Sequence, residues 1–354
     1  MAHPWKTEFE IDGRMIGTGH PAYLIAELSA NHNQDYDEAV RLVHAAHEAG
    51  ADAIKLQTYT ADTLTIESDQ PQFKISGTLW DGRTLYDLYQ EAMTPWDWQP
   101  KLRELALELG MGCFSSPFDA TAVAFLEDAG FPSYKIASFE IVDIPLIREA
   151  TATGKPIIMS TGMATLDEIT EAVDAVAGAG GKALALLKCT SAYPAPASEM
   201  NLSSIPDLAA RFGLPVGLSD HTMTAESALA AVALGACIIE KHFTLSRDNP
   251  GPDSAFSLEP PEFKAMVDAV RTVEAAMGTP DYTPGEAEKK STGFRRSLFI
   301  VEDVAQGEPL TAENVRSIRP GGGLHTRHLD EVMGRKAKAP IKRGTPLSLD
   351  LLED

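Results

Sequence analysis

The fold of this chain is decided by two short motifs, Gly217-Leu-Ser-Asp-His221 and Glu240-Lys-His242. In each motif a histidine closes a short apolar run typical of a buried parallel strand, and one predicted helix, residues 225–234, separates the two runs. A strand, a helix and a second strand of this length form a right-handed unit, which places both strand ends on one rim roughly 5 Å apart. We therefore expect His221 and His242 to lie close enough to bind one metal ion.

Two imidazoles with no obvious third protein ligand describe an open metal site, in which water or substrate fills the remaining positions. Such a site suits catalysis, and with oxygen ligands it suits Mn²⁺, Mg²⁺ or Co²⁺. The alternative is that each histidine is a hydrogen-bonded residue at a strand end and binds no metal. That alternative explains one histidine more readily than a pair on consecutive strand ends.

The composition is strongly acidic, with 30 Lys and Arg against 51 Asp and Glu in 354 residues. This argues against a nucleic-acid or anionic-membrane partner, because the sequence lacks the excess of basic residues that binding to either would require. No apolar run approaches the roughly 20 residues of a membrane span, and the N-terminus has no apolar signal core, so we expect a cytoplasmic protein. The cysteines Cys113, Cys189 and Cys237 lie inside predicted strands and are expected to be reduced core residues.

Strands and helices alternate from Tyr23 onward, after a short hairpin expected around Asp12-Gly13. Eight strand–helix units are the count and size of a (β/α)8 TIM barrel, an α/β fold that we assign, with the hairpin, to residues 1–277. A linker is expected at 278–296, and a small β-rich domain at 297–354, where short apolar pairs alternate with turns. The predicted strands are 23–28, 53–57, 112–115, 133–137, 156–160, 183–189, 214–218 and 236–239.

If the fold is a TIM barrel, polar residues should follow the strands, because active sites in this fold lie at the C-terminal ends of the strands. Every predicted strand carries polar residues at or near that end: Glu27; Lys55 and Gln57; Ser115 and Ser116; Lys135, Ser138 and Glu140; Ser160; Ser191 and Tyr193; His221; and His242. We therefore expect one polar site on a single rim.

Lys55 and Lys135 suggest what that site binds. Lysines within strands are usually solvated at a sheet edge, but a closed barrel has no edges, so a lysine that points inward should meet an anion. Near 4 Å and at an effective dielectric near 20, each such contact is worth about 4 kcal/mol before desolvation. With the nearby serine hydroxyls, the two lysines predict a site for a phosphate and a carboxylate.

The 60–98 insertion leaves the second strand on the same rim and is rich in Thr, Tyr and Trp. Aromatic side chains pack well on the apolar face of a sugar, so the insertion is a candidate lid or sugar-binding loop. A helix packed against the side of the barrel explains the same composition equally well.

Seven short motifs lie at or near the predicted strand ends: Glu27-Leu-Ser-Ala-Asn-His32, Lys55-Leu-Gln57, Phe114-Ser-Ser-Pro-Phe118, Tyr134-Lys-Ile-Ala-Ser138, Ser160-Thr-Gly-Met163, Leu218-Ser-Asp-His221 and Glu240-Lys-His-Phe243. Together they resemble the sialic acid synthase family over nearly the whole chain, and residues 297–354 resemble its antifreeze-like SAF domain. Within that family, Thr84-Leu-Tyr-Asp-Leu-Tyr-Gln-Glu-Ala92 and Pro252-Asp-Ser-Ala-Phe-Ser-Leu-Glu-Pro260 are similar to the pseudaminic acid synthase branch.

The resemblance implies a metal-dependent transferase that condenses phosphoenolpyruvate with 2,4-diacetamido-2,4,6-trideoxy-L-altrose and water, giving pseudaminic acid and phosphate by C–O cleavage. Mn²⁺ is the expected ion, with Mg²⁺ or Co²⁺ as alternatives. An N-acetylneuraminic or legionaminic acid synthase is the runner-up, although Ser191 and Lys241 stand where sialic acid synthases usually have Asn and Arg. A non-catalytic carbohydrate-binding or ice-binding protein is suggested only by the SAF-like tail, and fold analogy of that kind is weak support.

The resemblance also implies roles for individual residues. His221 and His242 would hold the metal, and Glu27 would act as base or stabiliser for the attacking water. Residues expected to bind phosphoenolpyruvate are Lys55, Ser116, Lys135, Ser138, Ser160, Ser191 and Ser219. Residues expected to face the sugar are Gln57, Glu140, Tyr193, Asp253 and, from the neighbouring chain of a domain-swapped homodimer, Arg319.

Overall fold

A computed structural model describes residues 5–353 and contains a closed barrel of eight parallel strands. Two short antiparallel strands precede it, β1 (Glu8–Ile11) and β2 (Arg14–Gly17). The barrel strands are β3 (Tyr23–Glu27), β4 (Ala53–Thr58), β5 (Gly112–Pro117), β6 (Tyr134–Ile136), β7 (Ile157–Ser160), β8 (Leu184–Cys189), β9 (Val216–Asp220) and β10 (Ile238–His242). The last strand closes onto the first, with His242 in register with Glu27, which confirms the predicted TIM barrel.

Helices cover the outside of the barrel, and most begin where the sequence places a side-chain cap. Asp35 caps the first helix, and Thr165 with Glu168 forms a capping box at the start of another. The helices of this part of the chain are α1 (Tyr36–Glu48), α2 (Ala61–Leu64), α3 (Leu85–Ala92), α4 (Gln99–Glu108), α5 (Ala120–Asp128), α6 (Ile144–Ala152), α7 (Leu166–Gly178), α8 (Ser204–Phe212), α9 (Glu226–Ala233) and α10 (Pro260–Met277).

The hydrophobic core of the barrel has two layers. One fills the space between the strands and the surrounding helices. The other lies inside the barrel at the N-terminal ends of the strands, where Phe9, Ile11 and Ile16 of the β1–β2 hairpin pack with Tyr23 and Ile25. The hairpin therefore closes the end of the barrel opposite the polar rim, which leaves the C-terminal end for chemistry.

The chain divides into two compact units at Gly278, and the second unit has its own small core. Its elements are α11 (Glu286–Thr292), β11 (Ser297–Ile300), β12 (Val315–Ile318) and α12 (Leu329–Val332). The helix α11 lies in the stretch 278–296, where the sequence predicts a linker. Within residues 5–353, no helix has the length and apolar character needed to cross a membrane.

Candidate active site

A cavity of about 510 Å³ opens at the C-terminal ends of the barrel strands, and we call it the rim cavity. Twelve of the residues singled out from the sequence line it: Glu27, Lys55, Gln57, Lys135, Ser138, Glu140, Ser160, Tyr193, Ser219, His221, His242 and Asp253. Ser116 and Ser191 are not among the lining residues: Ser116 Oγ accepts from Lys55 Nζ at 3.3 Å, and Ser191 Oγ is 3.8 Å from Cys189 Sγ. Barrel closure thus brings together residues that are up to 226 positions apart in the sequence.

The two histidines lie side by side, with ring centroids 5.4 Å apart. His221 Nδ1 is 2.9 Å from the Thr190 carbonyl oxygen, to which it donates, so the neutral form of this ring carries its lone pair on Nε2. Burial lowers the pKa of His221, but Cys189 and the Thr190 carbonyl raise it by more. His242 Nδ1 is buried and has no hydrogen-bond partner within residues 5–353. Burial, helped by the charges of His221 and Lys55, lowers the pKa of His242 well below its usual range. Its ring is therefore neutral at pH 7, the form that binds metals.

These observations fit a metal site, because the neutral His242 ring, whose Nδ1 has no partner within residues 5–353, lies next to the His221 ring, whose Nδ1 is already engaged by Thr190. In the part of the chain that the structure describes, no group of three or more His, Cys, Asp or Glu side chains could hold a metal ion. Any cation here would have an open coordination shell, as a catalytic site requires.

Two buried lysines dominate the floor of the rim cavity. Lys55 Nζ is 2.7 Å from Glu27 Oε2 and 3.3 Å from Ser116 Oγ. Lys135 Nζ is 2.7 Å from Ser160 Oγ. The carboxylate of Glu240 lies between the two ammonium groups, with its Oε1 3.5 Å from Lys55 Nζ and 3.6 Å from Lys135 Nζ. Both lysines thus hold their charge inside the barrel next to serine hydroxyls.

Burial and ion pairing shift the pKa values of Lys55, Lys135 and Glu27 in different directions. Burial lowers the pKa of Lys55, but the carboxylates of Glu240 and Glu27 raise it by more. Burial lowers the pKa of Lys135 despite the nearby Glu240. The pKa of Glu27 is raised by burial, against the opposing effect of Lys55. A carboxyl group with a raised pKa is suited to proton transfer near neutral pH.

Gly162 lies close to two serine hydroxyls, of which Ser138 lines the rim cavity. Its N–H donates to Ser138 Oγ at 3.1 Å. A Cβ at this position would lie 2.2 Å from Ser191 Oγ and 2.7 Å from Ser138 Oγ, closer than any real contact. A side chain at position 162 would therefore require Ser138 and Ser191 to move from their present positions.

The rim cavity is also lined by the residues expected to face a sugar. Gln57 Nε2 donates to Glu27 Oε1 at 2.9 Å, and the Tyr193 ring lies 4.3 Å from the His221 ring between centroids. Burial raises the pKa of Glu140 to about 7. Burial also raises the pKa of Asp253, although a hydrogen bond from Ser29 opposes the rise.

The 60–98 insertion supplies much of the apolar wall. Trp80 lies over the cavity, where its Nε1 donates to the Pro252 carbonyl at 2.8 Å and its ring packs near Tyr193 and Phe256. Other lining residues from this segment are Leu64, Ile75, Thr78, Leu85, Leu88, Tyr89 and Ala92. The end of the insertion follows the alternative expectation, since Trp96 packs on Phe125 of α5 at 4.8 Å between ring centroids. The insertion therefore lies partly at the cavity and partly against the outside of the barrel, and its binding of a sugar stays a prediction.

The sequence and the fold both resemble those of known proteins. Residues 42–282 match the NeuB family, and residues 295–353 match the SAF domain. The chain belongs to the NeuB family. A pseudaminic acid synthase from Helicobacter pylori is 46% identical over 94% of this chain and 98% of that protein. An N,N'-diacetyllegionaminic acid synthase from Legionella pneumophila is 35% identical over 95% of this chain and 96% of that protein.

A solved structure agrees with this assignment. The N-acetylneuraminic acid synthetase of Leptospira borgpetersenii, in complex with citrate, superposes with a TM-score of 0.72 at 31% identity, over 80% of this chain and 94% of that one. These matches confirm the family and the SAF domain expected from the motifs.

Sequence reasoning did not assign several residues that line the site of this NeuB-family chain: Ser29, Tyr59, Trp80, Glu240 and Phe256. Glu240 had a usable signal, since on a strand it shares a face with His242, two residues away. Lys241 points to the other face and pairs with Asp220 at 2.7 Å, away from the cavity. Arg319 directly follows β12 in the second unit.

Proposed function

We propose that the chain is a pseudaminic acid synthase, which condenses phosphoenolpyruvate with 2,4-diacetamido-2,4,6-trideoxy-L-altrose and water to give pseudaminic acid and phosphate. One observation carries the proposal: a buried two-lysine site and a facing pair of histidines open into one cavity. An anionic enol substrate and an aldehyde need these two environments side by side.

Phosphoenolpyruvate would bind at the lysines. The ammonium groups of Lys55 and Lys135 are the positive charges, and they donate to the hydroxyls of Ser116 and Ser160, which keep their own protons for an anion. Charge-assisted hydrogen bonds to phosphate and carboxylate are the strong ones in a buried site. The proposed ligand set is Lys55, Ser116, Lys135, Ser138, Ser160, Ser191 and Ser219.

His221 and His242 would hold a divalent cation, Mn²⁺ before Mg²⁺ or Co²⁺, which when bound supplies Lewis-acid polarisation of the sugar aldehyde. The fixed tautomer of His221 and the neutral ring of His242 prepare both nitrogens for that role.

In the reaction, C3 of phosphoenolpyruvate forms a bond to the aldehyde carbon of the sugar while the C=O π electrons move to the aldehyde oxygen, which takes up a proton and becomes a hydroxyl. C2 of phosphoenolpyruvate is left as an oxocarbenium carbon. Water adds to C2, and the C–O bond to phosphate then breaks. Glu27 is held between Lys55 and Gln57 at the end of β3, with a raised pKa, and is the proposed acceptor of the water proton.

The sugar would occupy the side of the cavity formed by the insertion, facing Gln57, Glu140, Tyr193 and Asp253. A trideoxy sugar with two acetamido groups presents several methyl groups. The apolar wall around Trp80 suits such groups better than the hydroxyls of a fully oxygenated sugar.

We further propose a domain-swapped homodimer in which Arg319 reaches the sugar site of the partner. Phe139, Val142, Met163 and Leu166 are exposed at the ends of β6 and β7, and Phe139 borders the cavity. An exposed apolar patch beside a site is typical of an interaction surface. Mixing inactive His242→Ala and Arg319→Ala proteins tests this: regained activity supports a site shared between chains, and continued inactivity contradicts it.

The function is tested by phosphate release from phosphoenolpyruvate, measured with the diacetamido altrose and, separately, with N-acetylmannosamine. Each reaction is run with and without a chelator and with Mn²⁺ added back. Release that is specific to the diacetamido sugar and lost with chelator is expected. Better turnover of N-acetylmannosamine would indicate a neuraminic acid synthase, and preference for the legionaminic precursor would indicate a legionaminic acid synthase.

A further inference from the structure

Ser29 lies in an unfavourable backbone conformation at the edge of the rim cavity. Its φ is +48°, in the left-handed region that glycine adopts freely and other residues rarely do. Among the non-glycine residues with positive φ in residues 5–353, only Ser29 lines the rim cavity. Strain of this kind at a site is reason to look for a function of the side chain.

The Ser29 hydroxyl connects two residues that line the sugar side. It accepts a hydrogen bond from Gln57 Nε2 at 3.2 Å and donates one to Asp253 Oδ2. The second hydrogen of the same Gln57 amide goes to Glu27 Oε1 at 2.9 Å. The four side chains come from β3, the loop after it, β4 and the loop after β10, so a single chain of hydrogen bonds ties these segments together.

This arrangement fixes the direction of every donor. With both amide hydrogens engaged, the Gln57 carboxamide has one orientation, and with its proton given to Asp253, the Ser29 hydroxyl has one as well. A glycine at position 29 would relieve the backbone but leave the Gln57 amide hydrogen and the Asp253 oxygen without this partner.

We propose that Ser29 is a positioning residue for the sugar, and that its hydroxyl holds Gln57 and Asp253 in the orientation that recognises the substrate. The inference rests on the proposed function, in which Gln57 and Asp253 face the sugar. It adds a residue that touches neither reacting carbon and acts through two others, at the cost of backbone strain.

Two variants separate the hydroxyl from the backbone. Ser29→Gly removes both the hydroxyl and the strain, whereas Ser29→Ala removes the hydroxyl alone. Loss of hydrogen bonds to an amide and a carboxylate should lower kcat/KM for the sugar about tenfold or more in both variants, while the KM for phosphoenolpyruvate stays within about twofold. The melting temperature of Ser29→Gly should equal or exceed that of the wild type. Asn201→Gly is the matched control, because Asn201 also has a positive φ, +45°, but lies outside the cavity.

The outcomes distinguish this inference from the proposed function. A wild type that releases no phosphate with any of the sugars would refute the function. An active wild type with sugar kinetics unchanged in Ser29→Gly would refute the role of Ser29. A loss in Ser29→Gly with full activity in Ser29→Ala would assign the effect to the backbone and also overturn the proposal. Crystal structures of wild type and Ser29→Ala give a readout independent of activity: the Gln57 and Asp253 side chains should reorient in the variant, and unchanged positions would contradict the proposal.

Discussion

Replacing Glu140 with glutamine should make the protein more stable than the wild type at alkaline pH. Glu140 ends a short 3₁₀ helix, Ser138–Glu140, after β6 and lines the rim cavity. Its Oε2 is buried and has no hydrogen-bond partner within residues 5–353. Burial raises the pKa of this carboxyl group to about 7, although its own backbone N–H and Lys135 oppose the rise. Folding therefore disfavours the ionised form.

The direction of this pH effect on the unfolding free energy follows from proton binding to Glu140 in the folded and unfolded states. Between pH 4.5 and about 7 the folded state binds more protons at Glu140 than the unfolded state does, so the unfolding free energy of the wild type falls as the pH rises through this window. Each pH unit is worth about 1.4 kcal/mol, so the penalty grows from under about 1 kcal/mol at pH 5 to about 3 kcal/mol at pH 8. Glutamine cannot ionise, so the Glu140→Gln variant does not have this penalty.

Urea unfolding of wild type and Glu140→Gln at pH 5, 6, 7 and 8 measures this difference directly. Glu149→Gln is the control, because Glu149 is an exposed glutamate on α6, and its stability difference from wild type should stay constant across the series. A Glu140→Gln difference that is flat with pH, or that grows toward acid, would refute the reasoning.

Three further predictions concern the site and its support. Alanine at His221 or His242 should weaken Mn²⁺ binding, measured by calorimetric titration, and slow phosphate release by more than about 100-fold, since losing a residue that merely orients a metal ligand already costs about 10–100-fold. Lys241→Met should lower the unfolding free energy by about 3–5 kcal/mol, because it leaves the Asp220 carboxylate buried without its lysine partner. Adding Asp220→Leu should restore most of the lost stability. A Lys241→Met protein as stable as wild type would contradict the prediction. Trp80→Ala should raise the sugar KM roughly tenfold, equivalent to about 1.4 kcal/mol, and leave the phosphoenolpyruvate KM unchanged, with Trp80→Phe as the milder control; equal effects on both substrates would argue against a sugar wall.

The barrel and the polar rim could be predicted from sequence because both follow from short-range patterns. Apolar runs mark buried strands, and a parallel barrel forces every strand end onto one rim. Closure then explains why Glu27 and His242, far apart in the chain, are register partners. Lys55 and Lys135 could be placed in the site for a similar reason, since a cation inside a closed barrel needs an anion or a hydroxyl nearby.

The residues that sequence reasoning missed depend on contacts that no local pattern encodes. Trp80 joins the site through a hydrogen bond to Pro252, 172 positions away, and the insertion that carries Trp80 has no periodic pattern that predicts this contact. Ser29 is singled out by its left-handed φ and by the hydrogen bonds of its hydroxyl to Gln57 and Asp253, and serine carries no sequence mark for either. The helix α11 lies in a stretch whose glycines and prolines predict a linker, although they only flank it.

The acidic composition and the proposed anionic substrate are compatible because they act over different distances. A net charge of −21 is spread over the chain, and its field is screened beyond about 8–10 Å at physiological salt. The ammonium groups of Lys55 and Lys135 act over 3–4 Å inside a buried cavity, where solvent and salt screen them much less. A long polyanion would need a basic surface many residues wide, whereas a small phosphate ester needs only these two lysines and their hydroxyl neighbours. Composition therefore argues against nucleic acid without arguing against phosphoenolpyruvate, and the local arrangement of charge decides what the site can bind.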